Sequence, residues 1–557
     1  MEYLILAAAL LIVGLAVFLL QSAQAKKQRA WQKKKLETSF GKPAERKYEP
    51  GELLGIQGYF HKHRAGTSLD DITWKDLDMD RVFMQMNITE SSAGQEYLYA
   101  MLRTPLLEEE KLLHRERLIR FFADHPRERL NLQMRFRALG RTGKYSLYDY
   151  LDFLEDLGPR SNGKQILLDL LVVAAVIAMF FWPRQGMFVL ICLLAYLISS
   201  YLKEKGAIEP YLISFQYVLR TMAAAREICR QDIRELSEEN GRLREYLKQL
   251  KELKAGAAFG MYTMGDGGNP LHVLTDYLNM VFHFDIIGFN CMVKQVRLHT
   301  RQIDEMLTIL GEIEALIAVA GFRKGLEEWC LPQFESEGLS LEKLYHPLLS
   351  DPVKNDLTVR RGVLLTGSNA SGKSTFLKAV AINAILAQTI HTCCAQRYQG
   401  AFFRVMTSMA LQDDLVNGES YYIVEIKSIK RILDAAGEDG AKVLCFVDEV
   451  LRGTNTVERI AASVQILHSL SRPQVCCLAA THDIELTELL QQEYDNYHFE
   501  EQIEEGDIRF PYRLMPGKAK TRNAIRLLSI MGYDSGIIRR AEEMAARFEK
   551  TGKWEQV

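Results

Sequence analysis

"LLTGSNASGKSTFL", residues 364–377, decides how this chain is read. Gly367, Gly372, Lys373 and Ser374 fit the spacing G-x-x-x-x-G-K-[ST], set between a strand-like run, "GVLLT", and a helix-like run, "FLKAVAINAILAQ". Strand, glycine-rich loop and helix in that order make a phosphate cradle. The glycines let backbone N–H groups turn toward phosphate oxygens, Lys373 neutralises β/γ charge and the Ser374 hydroxyl is placed to ligate Mg²⁺. Residues 442–450, "KVLCFVDEV", form a second apolar run that ends in two carboxylates. A parallel strand there delivers Asp448 to the Mg²⁺, through water, and Glu449 to orient and deprotonate an attacking water. A third run, "VCCLAATHD", ends in Thr481 and His482, so His482 is expected to sense the γ-phosphate. Together the runs predict an ATP- and Mg²⁺-binding α/β domain.

The bulk numbers constrain what surrounds it. At 557 residues the chain has room for two to four domains. With 69 basic and 71 acidic residues the net charge is -2, so no global field draws it to nucleic acid or acidic lipid. Nine cysteines contain no CxxC pair and read as buried thiols of a reducing compartment, with no metal site expected.

Three stretches are apolar enough to suggest a bilayer. Leu4 to Leu20 carries no charge and approaches the roughly 20 residues that cross a membrane. Six Lys or Arg between Lys26 and Lys35 then put its following end in the cytoplasm. "AQA" before Lys26 allows a cleaved signal peptide, but "MEY" lacks the positive charge such peptides begin with, which favours an uncleaved anchor. A second block, Ile166 to Leu202, is split by "WPRQG" into two short halves, with Lys164 before it and Lys203 and Lys205 after it. It reads as a transmembrane hairpin, and a buried hairpin of a soluble domain is the competing reading. Asp169 within it is expected to be a solvated edge residue. All large segments then lie on the cytoplasmic side of a multi-pass cell-membrane protein.

Four motifs carry a family resemblance. "TGSNASGKST", which includes Asn369 and Thr375, resembles the TGPNMGGKST of the MutS family of DNA mismatch-repair ATPases. "DDLVNGESYYIVE", Asp413 to Glu425, resembles its DDLxxGxSTFxxE; "DEVLRGTNT" resembles DEIGRGTST; "ATHDIEL" resembles ATHYxEL. Upstream, "LYHPLLSDPVKNDLTV" looks like the family's entry segment, and Ile72 to Phe122 looks like the start of its core. Residues 512–544, with Gly517, Ile525 and Arg540, look like its dimer-forming C-terminal helices.

The resemblance implies an α-helical core and lever joined to a P-loop ATPase of the ABC type. It also implies a homodimer with composite sites, in which Ser420 contacts the partner's nucleotide. The expected divisions are an anchor over 1–21, a basic linker over 22–69, core over 70–163, the hairpin over 164–202, core and lever over 203–340, and the ATPase with dimerisation helices over 341–557.

Departures from the pattern qualify this. Residues before 70 are too few for the family's mismatch-reading domain, and there is no Phe-x-Glu wedge. Residues 226–254 nearly balance acid and base, which suits a solvated helix face more than a phosphate-tracking stripe. Tyr421 and Tyr422 stand where the family has Thr and Phe, Leu451 stands where it has Gly, and no aromatic stands near Pro352 to stack on a base. The expected function is ATP-controlled binding of mismatched, damaged or branched DNA. The alternative is a membrane-tethered ATP switch acting on a protein or the bilayer. A transporter or chromosome-organising ATPase fits poorly, for want of an LSGGQ signature.

Overall fold

A computed structural model describes the chain apart from residues 1, 144–145, 150–151, 153–157, 159–160, 252–277, 369–370, 410–420, 439, 453, 505–506, 520–524, 526–527, 529–531, 553 and 555–557. Two compact units divide it: residues 1–64, 86–100 and 117–325 form one, and residues 65–85, 101–116 and 326–557 the other.

Every described secondary-structure element of the first unit is a helix. Its centre is the helix Thr300–Gly325, buried on most faces from Ile303 to Arg323. Gly311 permits that burial, since a Cβ there would lie 2.7 Å from the Ala93 carbonyl oxygen; backbone meets backbone at this crossing. Beside it the buried Glu314 carboxylate accepts hydrogen bonds from the Ser91 N–H, at 3.2 Å, and from the Ser91 hydroxyl. Another buried carboxylate, Glu96, takes the Ser146 hydroxyl and the Leu147 N–H, both at 2.9 Å. The helix Pro126–Leu139 shows the local signals plainly, with proline in its first turn and Gly140 ending it at φ 74°.

Two expectations change here. The basic stretch after residue 21 is no linker. One helix, Glu2–Ser39, runs through it, and Leu36 and Phe40 are buried, with the Arg129 guanidinium 3.5 Å from the Phe40 ring centre. Apolar residues among the lysines anchor the segment to the unit. The predicted count of three membrane helices is also not met: among the described residues two helices are long and apolar enough to cross a membrane, Gly163–Phe181 and Pro183–Gly206. The expected anchor lies in the helix Glu2–Ser39, but the side chains of residues 2–18 fall outside the described part.

Neither hairpin helix is a core helix. Only 22% and 17% of their apolar windows are buried, and Ile177, Phe181, Trp182 and Phe188 face outward. The buried-hairpin alternative therefore does not fit. Asp169 pairs with the buried His283 ring at 3.3 Å, and so is not the solvated edge residue expected. The second hairpin helix does not stop at residue 202. It continues unbroken as Pro183–Arg230, 48 residues, a rod of about 72 Å at 1.5 Å per residue.

The second unit is α/β. Its strands are β1 (Gln333–Phe334), β2 (Leu339–Leu344), β3 (Asn355–Val359), β4 (Gly362–Thr366), β5 (Arg397–Gly400) and β6 (Phe403–Ser408). After them come β7 (Lys442–Asp448), β8 (Val475–Ala480), β9 (Tyr494–Phe499), β10 (Gln502–Glu504), β11 (Asp507–Arg509) and β12 (Leu514–Pro516). One sheet has the order β1-β5-β2-β3, and β10 pairs with β11 alone. The principal sheet runs β12-β9-β4-β8-β7-β6 and is parallel except for β12. Val443 to Val447 are buried without alternation, as expected of a parallel strand covered on both faces.

Residues 65–85 and 101–116 belong to this unit, where the sequence placed them in the helical core. The reason is a set of buried polar contacts. The Asp76 carboxylate accepts from the Thr407 hydroxyl at 2.7 Å and the Met409 N–H at 2.9 Å, just past the end of β6. Gln388 O accepts the Leu106 N–H at 2.8 Å, and Arg115 donates to Thr389 O at 2.6 Å.

Candidate functional site

Ligands of parallel α/β sheets bind outside the carboxyl ends of the strands. Here β4, β8 and β7 are adjacent, so their carboxyl ends converge. Thr481 N–H donates to Leu365 O at 3.0 Å and Glu449 N–H to Ala480 O at 2.9 Å, which ties the three ends together. A cleft of about 540 Å³ opens there, lined by Ser371 to Thr375, Asp448, Glu449, Arg452 and His482.

The loop after β4 needs its glycines. Gly367 has φ 147° and Gly372 φ 101°, where side chains are strained. A Cβ on Gly367 would also approach the Phe499 carbonyl oxygen to 2.8 Å. The helix Lys373–Ile390 starts directly at this loop and points its free N–H groups and positive end at the cleft. Lys373 folds back, its ammonium donating to Gly367 O and Ser368 O at 2.8 Å each. Burial lowers its pKa from the usual lysine value. Ser374 Oγ donates to Asp448 Oδ2, and burial raises that carboxyl above the ordinary range.

Glu449 stands one residue past β7 with φ 62°. Its Oε1 meets His482 Nε2 at 3.0 Å and its Oε2 meets Arg452 Nε at 2.9 Å. The His482 hydrogen bond is the chief cause that holds Glu449 below the usual carboxylate pKa, so it is ionised at neutral pH and free to accept a hydrogen bond from water. Thr375 is exposed at the head of the helix. Asn369 and Ser420 lie outside the described residues.

Sequence reasoning missed an aromatic wall. Tyr512 lies against the loop, where a Cβ on Gly372 would meet its ring at 2.9 Å. Asn355 pins it, donating to Tyr512 O at 3.0 Å and accepting the Leu514 N–H at 2.8 Å. Pro352 lines the same cleft, and Tyr512, about 160 residues further along the chain, lines it too. No local pattern signals that. The "ND" pair carrying Asn355 was visible, but its partner was not.

The family model for MutS domain V matches residues 363–549. The DNA mismatch repair protein MutS of Halothermothrix orenii is 29% identical over 274 residues, 46% of this chain and 30% of that protein. MutS of Thermus thermophilus is 31% identical over 272 residues, 47% of this chain and 33% of the relative. For MutS of Pseudothermotoga lettingae the values are 33% over 257 residues, 43% and 31%. This half of the chain is MutS-like. The chain spans about a third of the length of the curated relatives it matches. In the MutS-like domain, the Leu451 that replaces the family's Gly has φ 55°, a backbone a glycine would adopt without strain. The substitution keeps the turn and loads it, with Leu451 buried.

Proposed function

We propose that the MutS-like domain binds Mg²⁺-ATP in this cleft and hydrolyses it, as the engine of an ATP-controlled homodimer that acts on DNA from the membrane. The observation that carries the reading is the meeting of Lys373, the Ser374–Asp448 pair and the Glu449–His482 pair in one cleft, from three strand ends.

The residues fit a magnesium ion. Ser374 Oγ and Asp448 Oδ2 are hard oxygen donors already in contact, and Mg²⁺ would neutralise charge on the β and γ phosphates between them. Lys373 exchanges its two loop carbonyls for phosphate oxygens. Tyr512 offers its ring to the base. Glu449 orients water and takes its proton, and His482 keeps the carboxylate aimed. In the dimer, Ser420 reaches the partner's nucleotide, so ATP joins two protomers and hydrolysis parts them.

DNA enters through the relatives, which are named as mismatch repair proteins. The exposed apolar hairpin favours a second reading, a membrane-tethered ATP switch with a protein or the bilayer as its target. One experiment separates them. The full chain in detergent is titrated with mismatched, branched and plain duplex DNA across a salt series, with and without ATP, beside Lys373→Ala. Structure-selective binding that ATP modulates and salt weakens steeply supports the DNA reading. Binding no better than that of Lys373→Ala removes DNA and leaves the switch. Glu449→Gln should bind ATP, stop turnover and accumulate as dimer; a monomer in saturating ATP would count against the shared site.

A further inference from the structure

The turn after β7 carries the proposed base and is strained at two places. Glu449 and Leu451, neither of them glycine, both adopt left-handed backbone, φ 62° and φ 55°. Such conformations are costly for residues that carry a side chain and persist only where surrounding contacts hold them. Three contacts do so here. Glu449 N–H is bound by Ala480 O at 2.9 Å, and Val450 O accepts from the Ser463 hydroxyl at 3.4 Å. The far end is held by Glu425, whose Oε1 accepts the Arg452 N–H at 3.3 Å. The Leu451 N–H also stabilises that carboxylate against the burial that raises its pKa. Glu425 is 2% exposed and sits in the first turns of the helix Tyr421–Ala436.

We propose that Glu425 is the positioning residue for Glu449. By holding the Leu451–Arg452 backbone it sets the turn, and with it the Arg452 side chain that grips Glu449 Oε2 from the side opposite His482. Glu425 touches no atom of the phosphate loop among the described contacts. Its influence therefore falls on the base and not on nucleotide capture. A shift of the helix Tyr421–Ala436 passes through the same contact into the base, so the helix regulates turnover at this site. The inference rests on the cleft being an ATPase.

The test uses full-length protein in detergent with Glu425→Ala, Glu425→Gln and Glu425→Asp, measuring ATP affinity, kcat and Tm. Misplacing a catalytic group by about 1 Å costs up to about 100-fold in rate. Glu425→Ala is expected to bind ATP within about threefold of wild type while kcat falls roughly 10- to 100-fold. Glu425→Gln keeps an acceptor oxygen at the same reach and should restore most of kcat. Glu425→Asp withdraws the acceptor by one methylene and should behave like the alanine variant, which decides the matter if alanine prevents folding. Wild-type kcat in both the alanine and aspartate variants overturns the proposal. So does a loss of ATP affinity that matches the loss of kcat. Wild-type protein that binds no ATP, or binds it without turnover, fails at the level of the ATPase reading instead.

Discussion

The Lys373 ammonium nitrogen lies 3.3 Å from His482 Nε2. Since Nε2 also lies 3.0 Å from the ionised Glu449, the tautomer with its proton on Nε2 satisfies the carboxylate, and the ammonium abuts the ring without a hydrogen bond. Lys373 is left with the two loop carbonyls, which a phosphate replaces.

Lys373→Ala removes a buried charge-assisted contact, of order 2–3 kcal/mol, and should weaken ATP binding about 100-fold or abolish it. Equilibrium titration with a fluorescent ATP analogue measures this. Affinity within threefold of wild type would mean that the phosphates bind elsewhere.

Tyr512→Ala should lower ATP affinity about 5- to 100-fold, because an aromatic stack on a base contributes about 1–3 kcal/mol. Every base has a π-face, so ATP and GTP should lose alike. Competition titrations with both nucleotides check this, and a loss confined to ATP would point to edge recognition.

Leu451 sets strain against burial. Leu451→Ala loses about 2–5 kcal/mol of packing, whereas the left-handed backbone costs a non-glycine residue only about 1–2 kcal/mol, so both truncations should destabilise. Leu451→Gly, which also sheds the strain, should be the milder by about 1 kcal/mol. Denaturant midpoints of the two variants check the order.

Asp76→Ala leaves the Thr407 hydroxyl and Met409 N–H without their acceptor and should destabilise the second unit by about 3 kcal/mol. Limited proteolysis between residues 65 and 85 is expected to accelerate in parallel. Unchanged melting and cleavage would show that this segment is not integral to the unit.

Burial pushes the Glu96 carboxyl up to about 8 and the Glu314 carboxyl up to about 7 against the ordinary 4.5, overriding their donated hydrogen bonds. From about pH 4.5 to pH 8 the folded chain holds the Glu96 proton that the unfolded chain has released, so stability is greatest below the window and falls as pH rises through it. Denaturant unfolding at pH 5 and pH 8 should show the loss, and Glu96→Gln should lessen it, leaving the part that Glu314 contributes. A Glu96→Gln protein with the wild-type slope would place the effect elsewhere.

Much of the site was legible because its chemistry is local. A loop that needs positive φ at Gly367 and Gly372, and strands that end in Asp448–Glu449 and in His482, announce themselves by spacing and by apolar runs. Tyr512 was not legible as a functional residue, and Glu425 stood only as the last residue of a family-like motif, with no role attached to it. The first reaches the loop through Asn355 from far along the chain, and the second acts through backbone N–H groups that any residue would supply.

By itself the sequence determined the strand, loop and helix order around Lys373, the MutS-like character of that half and the apolar run from 166 to 202, because each depends on residues close in the chain. Only the tertiary structure decided that residues 65–85 and 101–116 join the α/β unit, that the basic stretch after residue 21 is helix anchored by Leu36 and Phe40, and that the hairpin helices present apolar faces outward. The first of these outcomes depends on which distant groups a buried carboxylate such as Asp76 accepts from, the others on which apolar side chains find a partner to pack on, and chain order does not encode those distances.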